Sequence, residues 1–178
     1  MKALKVVIAV IIVVVSIGLV VFIGASIYAV TTINLLSYSV YYAQRMPHKE
    51  GTEPDLVMLL ENMGSIYTPK IEGIRYDDDG RNFIENSTNL TGKPTNFDEF
   101  VGGYGYSDQN DVTYKFNKNF ELEWAIDKDY KKIDLATVDE KKIKEEIRET
   151  VQPILDVQSK PLINLQWLFN KKYQDRFN

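Results

Sequence analysis

A single N-terminal transmembrane helix followed by a small α+β extracytoplasmic domain, with antiparallel hairpins and two or three helices, is the architecture that three observations predict. Val6 to Gln44 carries no charge and is almost wholly aliphatic through Val30. Apolar and polar residues alternate between Val112 and Ile126, as in strands with one wet face. Apolar residues recur at helical spacing before and after that stretch. The expected divisions are residues 1–30, a cytoplasmic head and membrane helix; 31–54, an interfacial stalk and linker; and 55–178, the α+β domain.

Val6 to Val30 as a helix is about 37 Å long, against a hydrocarbon core of about 30 Å, so one pass fits. Val and Ile are modest helix formers in water, but in lipid the backbone must satisfy its own hydrogen bonds, and a lone segment does so only as a helix. Lys2 and Lys5 precede the span and a mixed-sign segment from Arg45 follows it, which predicts a cytoplasmic N-terminus and an outward domain. The competing expectation is a cleaved signal peptide, with Gly24-Ala25-Ser26 or Ile27-Tyr28-Ala29 as the cleavage site; the apolar core is long for that role. The absence of cysteine removes lipid attachment through a thiol. Ala25 and Ala29 form a small pair that suits close approach of two such helices. Tyr38, Tyr41 and Tyr42 suit a headgroup layer, with the helix running on as a stalk or lying on the leaflet.

Arg45 to Pro54 holds two prolines and a glycine and is expected to be a flexible linker. Thr52 and Asp55 approximate a capping box before a short amphipathic helix with Leu56, Leu59, Leu60 and Met63 as its stripe, stopped by Gly64. Ile74 and Phe83 flank the acidic turn Asp77-Asp78-Asp79-Gly80, which predicts a hairpin. Asn86 to Asn96 is a polar loop with two N-glycosylation acceptor patterns, at Asn86 and Asn89. Gly102, Gly103 and Gly105 around Tyr104 suggest a flexible bend rather than a phosphate cradle, since no Lys-Ser or Lys-Thr and no helix start follow. Val112, Tyr114 and Phe116, then Phe120, Leu122, Trp124 and Ile126, form a hairpin with Trp124 inward and Glu121 and Glu123 outward. Thr137 with Glu140 opens a helix whose stripe is Ile143, Ile147, Val151, Ile154 and Leu155, and which Pro153 should kink or end. Ser159-Lys160-Pro161 starts a last helix through Leu162, Leu165, Phe169, Tyr173 and Phe177; a strand fits the shorter run Ile163 to Phe169.

The roughly 130 residues after Gln44 are enough for one core without covalent staples. A cysteine-free outward domain suits a bacterial surface. The formal net charge is −4, and setting aside Lys2 and Lys5 makes the remainder more acidic, which argues against a nucleic-acid partner. His48 is the only histidine and falls in the linker, a poor place for a catalytic base or a zinc ligand. The Asp77–Asp79 run fails the calcium-loop pattern at both ends. No catalytic, cofactor-binding or metal-binding residues are therefore assigned, and no cofactor is expected. The expected function is a membrane-anchored binding or accessory protein, with the bilayer and a protein at the outer membrane surface as partners and Tyr104, Tyr106 and Trp167 as candidate contact residues. An envelope enzyme using acidic residues is the alternative.

Overall fold

The computed structural model describes residues 2–71, 74–77, 83–86 and 103–178. The tip of the acidic turn, Asp78 to Arg81, and the polar loop from Ser87 lie outside the described residues. The chain forms α1 (Lys2–Ser37), α2 (Ser39–Ala43), α3 (Pro54–Glu61), β1 (Ile74–Asp77), β2 (Phe83–Asn86), β3 (Tyr104–Ser107), β4 (Thr113–Phe116), β5 (Leu122–Ile126), α4 (Glu140–Asp156) and α5 (Gln166–Phe177). Among the described residues, α1 is the one helix long and apolar enough to cross a membrane, a test that a signal sequence also passes.

The strands form one sheet in the order β1-β2-β3-β4-β5. β1 and β2 pair antiparallel, as the hairpin expectation requires, β2 and β3 pair parallel, and β3, β4 and β5 make an antiparallel meander. Ile84, Tyr106, Tyr114 and Ala125 stand in register across four strands, with Tyr104 and Phe116 as the neighbouring row. All six are buried and make up the core face of the sheet. Of the glycine-rich stretch, Gly103 is a bend, as expected, and leads directly into β3, which contains Gly105. A Cβ on Gly103 would lie 2.1 Å from the Phe116 carbonyl oxygen, so glycine there permits the close approach of β4.

The hairpin of β4 and β5 forms, but its faces are not those expected. Lys115 pairs with Trp124, and the next pair is Phe116 with Leu122, so β5 carries one extra residue at Glu123. A single insertion inverts the alternation beyond it. Ala125, fully buried, takes the core position, and Trp124 is half-buried on the opposite face beside Lys115. Glu121 and Glu123 are exposed, as expected, and Glu123 accepts a 2.9 Å hydrogen bond from the buried Lys115 ammonium.

Several helix boundaries also move. α3 is buried on all sides from Pro54 to Leu60, so it is a central helix rather than an amphipathic one. Its first turn has no side-chain cap, because the Thr52 hydroxyl donates instead to the Lys49 carbonyl at 2.7 Å. α4 is capped by Asp139, whose carboxylate accepts from the Lys142 amide at 3.1 Å, while Thr137 closes a preceding 3-10 turn. Its five predicted stripe residues are all buried. Pro153 does not end it; the helix runs on to Asp156, with proline inside its last turn. The C-terminal segment is a helix, but it starts at Gln166, and Leu162 lies outside it in solvent.

The largest departure is at the stalk. Leu35, Val40, Tyr42, Ala43 and Met46 belong to the same buried cluster as Leu56, Ile147 and Phe169. Tyr42 is not an interfacial ring: its hydroxyl donates to Asn34 Oδ1 at 2.7 Å and accepts from the Leu165 amide at 3.1 Å. The linker is tied down as well, with the Lys49 amide donating to the Phe177 carbonyl at 2.8 Å. α1 therefore enters the domain as one of its own core elements.

Candidate functional site

Of the three aromatics proposed as contact residues, only Trp167 offers its ring to solvent, at 65% exposure. Tyr104 and Tyr106 alternate with Gly105 on the core face of β3 and are 2% and 1% exposed. Their hydroxyls work inside the domain. Tyr104 donates to Glu61 Oε1 at 2.7 Å and accepts from Arg176 Nη2 at 2.8 Å, joining β3 to α3 and α5. Tyr106 donates to Glu146 Oε1 of α4 at 2.7 Å. Burial, and then the Glu61 carboxylate, push the Tyr104 phenol well above its ordinary pKa. Burial works against the Arg176 charge, but Glu61 and Tyr104 outweigh it and hold the guanidinium above its usual value.

Alternation alone could not have exposed this. A tyrosine reads the same in a pattern whether its hydroxyl meets water or a buried carboxylate, and the partners come from helices 43 and 40 residues away in sequence.

A second cluster, with no local signature, organises the surface. Arg148 on α4 donates to both carboxylate oxygens of Asp55 at 2.9 Å and also to Glu53, so one guanidinium binds the start of α3. The two carboxylates hold Arg148 above its ordinary pKa, the Asp55 hydrogen bonds most of all. The acids sit at the helix N-terminus, where its dipole favours them. Beside this clamp lies an open groove of about 620 Å³ between the 50–53 segment and the first half of α4.

Glu50, Glu53, Glu140 and Glu145 line it together with Lys141, Lys144 and Arg148. Lys144 is held by Glu140 at 2.8 Å, and Arg148 is committed to the clamp. Lys141 and Glu145 are the most exposed pair, 3.8 Å apart. This surface presents both signs at short spacing, a lining suited to a polar peptide or protein surface rather than to a polyanion.

His48 is exposed, its Nδ1 2.9 Å from the Met46 carbonyl oxygen. Among the described residues no three of His, Asp or Glu gather as metal ligands. Comparison with protein-family models, with curated proteins and with solved structures finds no match to this chain. Geometry is thus the ground for a functional reading.

Proposed function

We propose that the protein is a single-pass membrane protein, with its N-terminus in the cytoplasm and its α+β domain outside, that binds a protein partner at the outer membrane surface. The observation that carries this reading is the open, mixed-charge groove on a domain built directly onto an apolar membrane-length helix. Because α2 and the end of α1 are core elements, the groove would stand at a fixed height above the bilayer rather than search on a loose tether. Anchoring still raises the local concentration of a weak binder to about the millimolar range. A groove with charges of both signs discriminates through complementary pairing and rejects a partner of the wrong pattern.

The chain lacks cysteine, so single introduced cysteines report cleanly on sidedness. Lys128→Cys should react with a membrane-impermeant maleimide on intact cells, and protection there would reverse the orientation. For binding, a photo-crosslinking residue at position 141 should give one adduct of discrete mass. The same residue at position 128, outside the groove, should not. With the crosslinker kept at position 141, reversing the neighbouring groove charges by Lys144→Glu with Glu145→Lys should abolish the adduct. Equal crosslinking at both positions, or none at position 141, would refute the groove as the binding surface.

A further inference from the structure

The domain has an apolar rim that its core does not use. Leu162 is 101% exposed, Ile163 57% and Trp167 65%. Single exposed apolar residues are ordinary, but three on one short segment concentrate apolar surface there and call for an occupant. The segment is also pinned in place. Pro161 is buried before it and Phe169 after it. The Ile163 carbonyl accepts from Asn34 Nδ2 at 3.1 Å, and the Tyr42 hydroxyl, which donates to Asn34 Oδ1, lies 3.2 Å from it. These bonds fix the rim against α1 at the level of residue 34.

That level is informative because of what α1 does there. The helix is exposed from Val10 through Val30, partly covered at Thr31 and Thr32, and buried at Leu35. The domain therefore begins to touch the helix where the aliphatic sequence stops. Asn34 lies about 6 Å along the axis beyond Val30, and the headgroup layer on each side of a bilayer is about 5 to 7 Å thick.

We infer that Leu162, Ile163 and Trp167 form a second contact with the bilayer, seated in the headgroup layer from which α1 emerges, and so fix the orientation of the domain on the membrane. The inference rests on the reading of α1 as an uncleaved anchor. The side-chain chemistry fits a lipid interface: two aliphatic side chains for the acyl boundary and an indole of the kind enriched at headgroup level. Lys160, exposed and two residues before Leu162, adds a cation of the sign that anionic headgroups attract. Two points of attachment, one spanning and one peripheral, would remove rotation of the domain about the helix and hold the α4 groove in one direction.

The test uses the full chain reconstituted in phosphatidylcholine and phosphatidylglycerol vesicles, with an environment-sensitive nitrobenzoxadiazole label on single cysteines. Leu162→Cys is fully exposed and Val20→Cys lies mid-helix, so neither substitution disturbs the core. The label at 162 should shift to the blue relative to its free cysteine adduct and be quenched by lipids carrying a nitroxide high on the acyl chain, and the label at 20 should be quenched by lipids carrying a nitroxide near the end of the chain. Adding Ile163→Glu should reverse both changes at 162. Quenching at 20 with none at 162 would overturn the peripheral contact and leave the anchor standing. A blue shift at 162 without quenching would mean that protein, such as a second copy of the chain, covers the rim, and would also overturn it. Absence of quenching at both positions would remove the anchor and the contact together.

Discussion

At the scale of residues, several side chains divide the energetic work differently from what their types suggest. Arg148 closes the domain by holding Asp55, which is 8% exposed, and Glu53. Arg148→Ala strands a nearly buried carboxylate; because the arginine side chain is itself 36% exposed, the expected cost is about 2 kcal/mol, below the 3 to 5 of a fully buried pair. Urea unfolding of the full chain in detergent micelles measures it, and Arg148→Lys should recover only part of the loss, since an ammonium cannot bind both oxygens at once. Trp124, half-buried opposite Lys115, should cost only about 1 to 2 kcal/mol on truncation to alanine, whereas Phe116→Ala should cost about 3 to 5. If the two variants unfold alike, the bulge at Glu123 does not set the faces of β5. Tyr104 and Tyr114 make the fold sensitive to alkali. Burial, with Asp108 nearby, pushes Tyr114 up to about 12, against an ordinary 10.0. Above pH 10 the unfolded chain releases a proton that the folded one retains, so stability is full below about pH 10 and drains as pH rises toward 12. Phenolate absorbance should show a late-ionising class that shrinks in Tyr104→Phe and Tyr114→Phe.

At the scale of elements, the stretch after the membrane span decides where the domain starts. Leu35, Val40, Tyr42 and Ala43 fill space against α3 and α5, with the Tyr42 ring 5.4 Å from Phe169. Deleting residues 1–30 removes a stretch whose described side chains are all exposed and should leave the near-ultraviolet circular dichroism of the domain intact. Deleting residues 1–44 removes the buried apolar side chains Leu35, Val40, Tyr42 and Ala43 together with buried Ser39. At about 2 to 5 kcal/mol for each of the three large ones, the loss is comparable with the whole stability of a domain, about 5 to 15 kcal/mol. The longer truncation should therefore lose tertiary signal and aggregate. Equal spectra from the two fragments would show α2 to be a dispensable stalk after all. α4 is the opposite case, an element whose face was plain in the chain. Its apolar residues recur every three to four positions along 17 residues, and no other period accommodates them.

At the scale of the whole molecule, carbonate washing of membranes should leave the full-length chain in the pellet, and a soluble species beginning near Ile27 or Val30 would identify α1 as a cleaved signal. The sequence by itself determined the apolar helix, the α+β composition, the hairpins of β1 with β2 and β4 with β5, and the helical stripe of α4. Each rests on a period short enough to be complete within one stretch of chain. Only the tertiary structure decided that β2 and β3 pair in parallel, that Trp124 turns outward, and that Tyr42, Tyr104 and Tyr106 are interior. It also brought Arg148 to Asp55 across 93 residues, the contact that borders the groove. The physical reason is common to all of these. A bulge inverts faces without altering composition, and an amphipathic ring or a charged side chain is as compatible with a satisfied interior as with water. Which environment it occupies depends on partners supplied from distant elements, and those become neighbours only when the chain folds.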